Sequence, residues 1–429
     1  MGSAASAPRT LTMPGYLPRT ADADIDGALR RRGAVLIEGC RACGKTWAAR
    51  NVARSEARLD DEATLLLASA DPAAVLRGPT PRLLDEWQNV LPLWNRVRRE
   101  CDDRAEFGQF ILTGSAMPQD DITRHTGVGR ISRVLMRPMS LYEMGHSTGV
   151  ASLSELFKGE QVSALPSDAG LRDVASFVCV GGWPGSRGLD EHDARLAVGD
   201  YLSEIVRLDV PSASGIRHRP SAVRRLVRSL ARHVATEAKT TTLAADAGGD
   251  TPLGRSTVNA YLDALERIFV VENQPAWSVG LRSRATIRRA PKRHFVDPSL
   301  AASMLRASPE RLLADPNTFG LLFESLVVRD LRIYSQPDRG DVSHYRDETS
   351  LEVDAIIERD DGAWIAVEVK LSPAPHIVDE AARSLLRLRN KVAPSRVRDL
   401  AALMVVTSTG SAYRRPDDVQ VAPITTLGP

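Results

Sequence analysis

Between residues 20 and 140, short unbroken apolar runs alternate with stretches of helical spacing, the pattern of a buried parallel sheet flanked by helices. Runs at 34–37, 63–68, 81–85, 110–115 and 131–136 predict strands; 24–32, 47–53 and 91–101 predict helices. From 152 to about 210 the pattern is helical, broken at Gly181-Gly182-Trp183-Pro184-Gly185. Helices predicted at 221–235 and from Ser256 flank a short apolar segment at 243–247. Val258, Tyr261, Leu262, Leu265 and Ile268 line one face of the second helix, with Ser256 as its N-cap. Residues 268–271 are strand-like. Further on, a helix at 319–333, strands at 351–357 and 364–370 joined by Asp360-Asp361-Gly362, a helix at 378–389 and a strand at 400–406 predict a second α/β layer.

The first predicted strand runs into Gly39-Cys40-Arg41-Ala42-Cys43-Gly44-Lys45-Thr46, which fits G-x-x-x-x-G-K-[ST] between a strand and a helix. Glycines let such a backbone wrap a phosphate chain, and amide N–H groups at the helix start face the anion. Lys45 is expected to reach the β- and γ-phosphates of ATP, and the Thr46 hydroxyl to bind Mg²⁺. The strand at 81–85 ends in Asp85-Glu86, where Asp85 would hold the Mg²⁺ shell and Glu86 would polarise the attacking water. Thr113 and Ser115, closing the next strand, are candidates for sensing the γ-phosphate. Of Arg124, Arg130 and Arg133, one could stabilise transition-state charge; Arg130, in a Gly-Val-Gly-Arg turn, is taken as the nucleotide-contacting candidate. Trp183 is read either as packing near the base or as an ordinary core aromatic.

In the C-terminal hairpin, period-two alternation puts Glu368 and Lys370 on one face, and Asp354 on the facing strand can meet them. Two carboxylates and an ammonium converging there suit Mg²⁺-dependent phosphodiester cleavage. Asp354 and Glu368 are the expected metal ligands, Lys370 the residue orienting water, and Glu324 on the preceding helix a further ligand. Retained structural charges on an inactive fold are the alternative.

Composition changes the picture in three places. The net charge of +2 balances 56 Lys and Arg against 54 Asp and Glu, but the basic residues concentrate between 217 and 292. Arg217, Arg219, Arg224, Arg225, Arg228, Arg232, Arg255, Arg267 and the wing arginines Arg282, Arg284, Arg288 and Arg289 lie there. An outward helix face carrying Arg255, Asn259 and Arg267 is expected to meet DNA or RNA, unless the segment is only a rigid adaptor. The four cysteines, with Cys40 and Cys43 inside the loop, exclude a secreted disulfide scaffold and leave no zinc-spaced partner pair. No apolar run approaches a membrane span, and 43% hydrophobic with 26% charged residues argues against wholesale disorder. The expected compartment is the cytoplasm, with no membrane partner.

On Gly39 to Thr46, Leu83 to Gln88, Ile111 to Ser115, Gly182-Trp183-Pro184, Ser256 to Leu265, and Glu324, Asp354, Glu368 and Lys370, the chain resembles the bacterial and archaeal AAA-type ATPases with a C-terminal PD-(D/E)xK nuclease-like domain. The resemblance implies an α/β fold in five parts. These are a flexible tail (1–20), a P-loop ATPase core (21–150), a helical lid (151–210), a winged helix-turn-helix (211–291) and a nuclease-like domain (292–429). It implies ATP binding and hydrolysis and leaves the nuclease substrate unassigned. A nuclease gated by hydrolysis, in defence or genome maintenance, and an ATP-dependent switch with an inactive nuclease fold both remain open. Homo-oligomerisation is compatible with either.

Overall fold

The computed structural model describes residues 15–116, 127–210, 220–248, 253–278 and 290–429. The start of the expected tail, Arg124, Arg217, Arg219 and the wing arginines Arg282, Arg284, Arg288 and Arg289 lie outside the described residues. The chain forms two compact units, 1–137 with 267–269 and 138–266 with 270–429.

In the first unit α1 (Ala21–Arg31) leads into β1 (Ala34–Glu38) and α2 (Lys45–Val52). Then follow β2 (Ser55–Arg58), α3 (Glu62–Ala70), β3 (Arg82–Asp85), α4 (Pro92–Arg104), β4 (Phe110–Gly114) and β5 (Ile131–Leu135). All strand pairs are parallel in the order β2-β3-β4-β1-β5, so β4 lies between β1 and β3. The pairs Ile37↔Thr113 and Leu84↔Leu112 bring the C-terminal ends of these three strands to one edge. Phe110, Ile111, Leu112, Leu83 and Leu84 are fully buried, and the Trp87 and Trp94 rings pack with centroids 5.1 Å apart.

Two expectations fail here. The apolar run at 63–68 is not a strand but part of helix α3. The Asp61 side chain caps it by accepting from Thr64 N, and Leu66 and Leu67 project outward. Leucine and alanine favour a helix as readily as a buried strand, and the cap decides between them. The second strand is instead the polar, sheet-edge Ser55–Arg58. The tail does not extend to residue 20 either. Buried Arg19 donates to the carbonyl oxygens of Cys43 (2.9 Å) and Arg137 (2.8 Å).

The second unit opens with β6 (Ala151–Ser152), α5 (Leu153–Phe157), α6 (Leu171–Val180) and α7 (Glu191–Glu204). Helices α8 (Pro220–Arg232), α9 (Thr240–Gly248) and α10 (Arg255–Arg267) precede an antiparallel pair, β7 (Val271–Gln274) with β8 (Lys292–Phe295). Helices α11 (Pro298–Met304), α12 (Pro309–Ala314) and α13 (Pro316–Tyr334) lead to β9 (Asp341–Arg346), β10 (Glu352–Glu358) and β11 (Trp364–Lys370). Then come α14 (Pro375–Lys391), α15 (Pro394–Arg398), β12 (Leu400–Thr407), β13 (Tyr413–Arg414), β14 (Gln420–Pro423) and β15 (Leu427–Gly428). The large sheet runs β13-β14-β12-β11-β10-β9, with β11, β12 and β14 parallel and α14 covering it.

The residues of the expected lid, 151–210, belong to this unit, which begins at 138. Helices α6 and α7 pack on α11 and α12, and β6 pairs with β15. Trp183 donates to Ser299 Oγ (2.9 Å) and packs on Tyr201 with centroids 4.6 Å apart, so it is a core aromatic of this unit. Around it Asp297 accepts from Gly182 N (3.0 Å) and from Arg329 (2.8 Å), and Arg329 also pairs with Asp330 (2.7 Å). A Cβ on Gly182 would lie 1.9 Å from the Met139 carbonyl oxygen, which is why glycine stands there.

Candidate nucleotide and acidic sites

The loop between β1 and α2 is built from unusual backbone. Gly39 has φ 155°, Ala42 60° and Gly44 102°. A Cβ on Gly39 would stand 2.0 Å from the Met136 carbonyl oxygen, so the backbone just past β5 demands glycine. Lys45 is buried, and its ammonium donates to the Gly39 (2.9 Å) and Cys40 (2.7 Å) carbonyl oxygens. Arg41 projects outward and leaves the inner wall to Cys40 and Cys43, both buried and unbridged. A hydrogen bond with Cys40, working against burial and helped by Lys45 and Arg19, lowers the Cys43 pKa to about 6.

Thr46 Oγ1 donates to Asp85 Oδ1 (2.9 Å), and buried Thr113 Oγ1 donates to the same oxygen (2.5 Å). Thr113 also accepts from Glu86 N (3.1 Å). Glu86 sits at φ 56°, a left-handed conformation that a non-glycine residue adopts at a cost of about 1–3 kcal/mol. Its carboxylate accepts from Ser115 Oγ (3.1 Å) and from the Gln88 amide. Ser115 is therefore placed to orient Glu86. Gln88 was given no role from sequence, although it stands two residues after the acid it holds. Its Oε1 is buried and has no hydrogen-bond partner among the described residues.

These side chains fit a nucleoside triphosphate with Mg²⁺: a hydroxyl and a carboxylate meet at 2.9 Å beside a buried ammonium and an amide-rich helix start. Arg130 does not join them. Its carbonyl oxygen accepts from Ala34 N at the opposite end of β1, and its guanidinium pairs with Asp102 (2.7 Å). The chain has to enter β5 there to run parallel to β1. Arg133 instead pairs with Glu38, the residue before the loop (2.8 Å).

In the second unit the expected acidic constellation converges, with an addition that changes its chemistry. The β10–β11 hairpin pairs Ala355 with Val367, and a register shift between Val353 and Ile356 surrounds Asp354. Asp354 accepts from Val369 N (2.8 Å), and Lys370 lies 2.6 Å from Glu368 and 3.6 Å from Asp354. Buried Lys292, from β8, reaches Glu324 (2.7 Å), Glu352 (2.9 Å) and Asp354 (3.6 Å). An ammonium thus stands between Glu324 and Asp354. Among the described residues no three Asp, Glu, His or Cys side chains are grouped to hold a metal ion. Glu324 and Asp354, two of the expected metal ligands, are held by the Lys292 ammonium in this structure, and Glu368, the third, by that of Lys370.

The titration behaviour follows. Burial alone disfavours the Lys292 ammonium, but Glu324, Asp354 and Glu352 outweigh it and raise its pKa above the ordinary lysine value. Burial and the neighbouring Asp354 raise Glu324 to about 8 against the pull of Lys292, and raise Glu368 to about 8 against that of Lys370. Asp354 moves the other way. Burial opposes its charge, but Lys370, Lys292 and the Val369 N–H hold its pKa below the ordinary value. Neither Lys292 nor Glu352 was assigned a role from sequence. The available signal was the scarcity of lysine, found only at 45, 158, 239, 292, 370 and 391.

The helix face expected to meet nucleic acid is mixed in charge. On α10, Arg255 and Asn259 are exposed, but so is Asp263, and Arg267 Nε is buried without a hydrogen-bond partner among the described residues.

Comparison with known proteins divides the chain in three. Residues 31–145 match the family model described as an AAA domain, 171–311 a domain of unknown function (DUF8612), and 319–427 a domain of unknown function (DUF4143). The uncharacterized proteins Rv2008c of Mycobacterium tuberculosis and Mb2031c of Mycobacterium bovis are each 26% identical over 384 residues, covering 86% of this chain and 78% of theirs. Among solved structures, the Walker-type ATPase PABY2304 of Pyrococcus abyssi aligns over 70% of this chain and 99% of its own, at 14% identity and TM-score 0.43. AMPPCP-bound DnaA from Aquifex aeolicus aligns over 57% and 85%, at 14% identity and TM-score 0.24. No helix among the described residues is long and apolar enough to cross a membrane. The loop geometry and the match over 31–145 support a P-loop AAA-type ATPase domain in the first unit.

Proposed function

We propose that the first unit binds ATP on the loop 39–46 and hydrolyses it to ADP and phosphate. The observation that carries this reading is the meeting of Thr46 and Thr113 on one Asp85 oxygen, with Glu86 fixed beside them. The Lys45 ammonium exchanges its loop carbonyls for phosphate oxygens, and the amides at the start of α2 take further negative charge. Mg²⁺, held by Thr46 and Asp85, supplies charge neutralisation across the phosphates. Glu86, oriented by Ser115 and Gln88, accepts the proton of the attacking water. Phosphate release from the wild type tests this against Lys45→Ala and Glu86→Gln. Lys45→Ala should lose nucleotide binding. Glu86→Gln should keep binding and lose on the order of 10²–10⁴-fold in rate. A wild type without measurable ATP affinity would end the reading.

For the second unit, α8 to α10 with the β7–β8 pair are read as a winged helix that engages nucleic acid, and 292–429 as a nuclease-like fold. Lys292 favours the reading in which that fold no longer cleaves and the protein works as an ATP-dependent switch. Labelled DNA and RNA should survive Mg²⁺ and Mn²⁺ equally with wild type and Asp354→Ala. Wild-type cleavage lost in Asp354→Ala would restore the gated nuclease.

A further inference from the structure

Resting on the nucleic-acid reading above, we propose that a single strand binds not on α10 but in an arginine-lined cleft between α7, α8 and the end of α11. The cleft holds about 740 Å³ within the second unit. Arg195 of α7, Arg224, Arg225 and Arg228 of α8, and Arg306 after α11 line it, with Asp200 the one carboxylate among the described residues of its wall.

The charges are there because α8 is strongly two-faced. Ala222, Val223, Leu226, Val227 and Leu230 are buried, and the arginines take the opposite, exposed side. Arg225 is partly committed, donating to the Ala247 carbonyl oxygen (2.6 Å), and Arg195 donates to that of Ala307 (3.3 Å). The side chains of Arg224, Arg228 and Arg306 form no ion pair or hydrogen bond with any described residue. That contrasts with Arg207, Arg232 and Arg172 of the same unit, each of which has a carboxylate partner. Folding therefore leaves these cations uncompensated around one concavity, where mutual repulsion opposes them until an anion arrives.

The shape selects among anions. Arg224 and Arg228 stand one helical turn apart, about 6 Å between Cβ atoms, close to the separation of neighbouring phosphates in a strand. Guanidinium forks suit phosphate oxygens. The wall also carries apolar surface, Met304 and Leu196, the latter 55% exposed, which a free phosphate has no use for and an unpaired base does. A strand with unpaired bases can bring both its phosphates and a base face to this wall, so the occupant assigned is a single-stranded segment.

The test is fluorescence anisotropy of labelled oligothymidylate of about 20 nucleotides against the full chain, without nucleotide, across a salt series. With about four guanidiniums on phosphates, log K should fall with log salt at a slope near −3. Arg224→Ala with Arg228→Ala should weaken binding on the order of tenfold or more and make the slope shallower by about 1.4. Arg224→Lys with Arg228→Lys should restore the slope. These positions are exposed, and an unchanged melting curve verifies the fold of each variant. Wild-type affinity and slope in the alanine pair, or loss only in Arg255→Ala with Asn259→Ala, would overturn the cleft while sparing the nucleic-acid reading. A wild type that ignores both the oligonucleotide and duplex DNA would overturn both. Cleft-dependent binding of inorganic tripolyphosphate without the oligonucleotide would overturn the ligand assigned.

Discussion

Replacing Lys292 by alanine tests whether an ammonium has taken the place of a metal ion in the acidic cluster. Lys292 contacts Glu324 at 2.7 Å, Glu352 at 2.9 Å and Asp354 at 3.6 Å, with side-chain exposures of 12%, 41% and 12%. Glu352 faces enough solvent that its share is small. The loss of stability comes from Glu324 and Asp354, which would be left facing each other in a buried space. Removing one partner of a buried ionic cluster costs about 3–5 kcal/mol. Glu324 can relieve part of this by staying protonated, since its pKa is already about 8, so the lower end applies near neutral pH. At about 2–4 °C per kcal/mol for a unit of this size, the melting temperature should fall by roughly 6–12 °C. The vacated space should then accept a divalent ion. Mn²⁺ at about a hundredfold excess over its Kd would return about 2.7 kcal/mol to the variant. The assay is calorimetry of both proteins with and without Mn²⁺. A wild-type transition raised by Mn²⁺ as much as the variant's, or a variant as stable as wild type, would refute the substitution of ammonium for metal.

Three further outcomes follow from the geometry. Glu324 and Glu368 have folded-state pKa values raised from 4.5 to about 8, so the folded chain keeps protons that the unfolded chain has already released across that window. Stability of the hairpin region should fall as pH rises from 5 to 8; hydrogen exchange of peptides covering 352–370 reads it, Glu324→Gln should flatten the trend, and protection rising with pH would contradict it. Cys43, with a pKa lowered to about 6, should show half its thiolate absorbance near that pH, and its stabilising share should be lost as pH falls through it; a midpoint above 8 in the nucleotide-free protein would exclude the loop environment described. Gly39→Ala forces a side chain against Met136 at a φ of 155° and should destabilise the first unit by at least about 1–3 kcal/mol while lowering ATP affinity; unchanged melting and affinity would contradict it.

Where one local rule dominates, the sequence was readable. The phosphate loop, Asp85-Glu86 and the Glu368-x-Lys370 hairpin each lie within a few residues whose spacing dictates direction, and the structure places them accordingly. Residues 63–68 were misread because a six-residue apolar run fits strand and helix equally, and only the Asp61 cap separates them. Strand β2 was invisible because Ser55–Arg58 lies at a sheet edge and needs no apolar pattern. Lys292 and Arg19 act through contacts 32 and 24 residues away, which no local periodicity encodes. The unit that the residues of the expected lid join was hidden for the same reason. Helices α6 and α7 resemble any others, and only their partners α11 and α12 reveal which unit they complete.

The Arg329 guanidinium grips Asp297 on one side and Asp330 on the other, so a single knot ties the stretch before residue 311 to the stretch after 319. Whoever dissects this protein by its two regions of unknown function would sever that knot. The first piece would keep Asp297 without its arginine and the second Arg329 with Asp330 alone, and insolubility of such pieces would say nothing about either region's role. Both ends of the knot lie in the unit of 138–266 with 270–429, and that unit should be handled as one body.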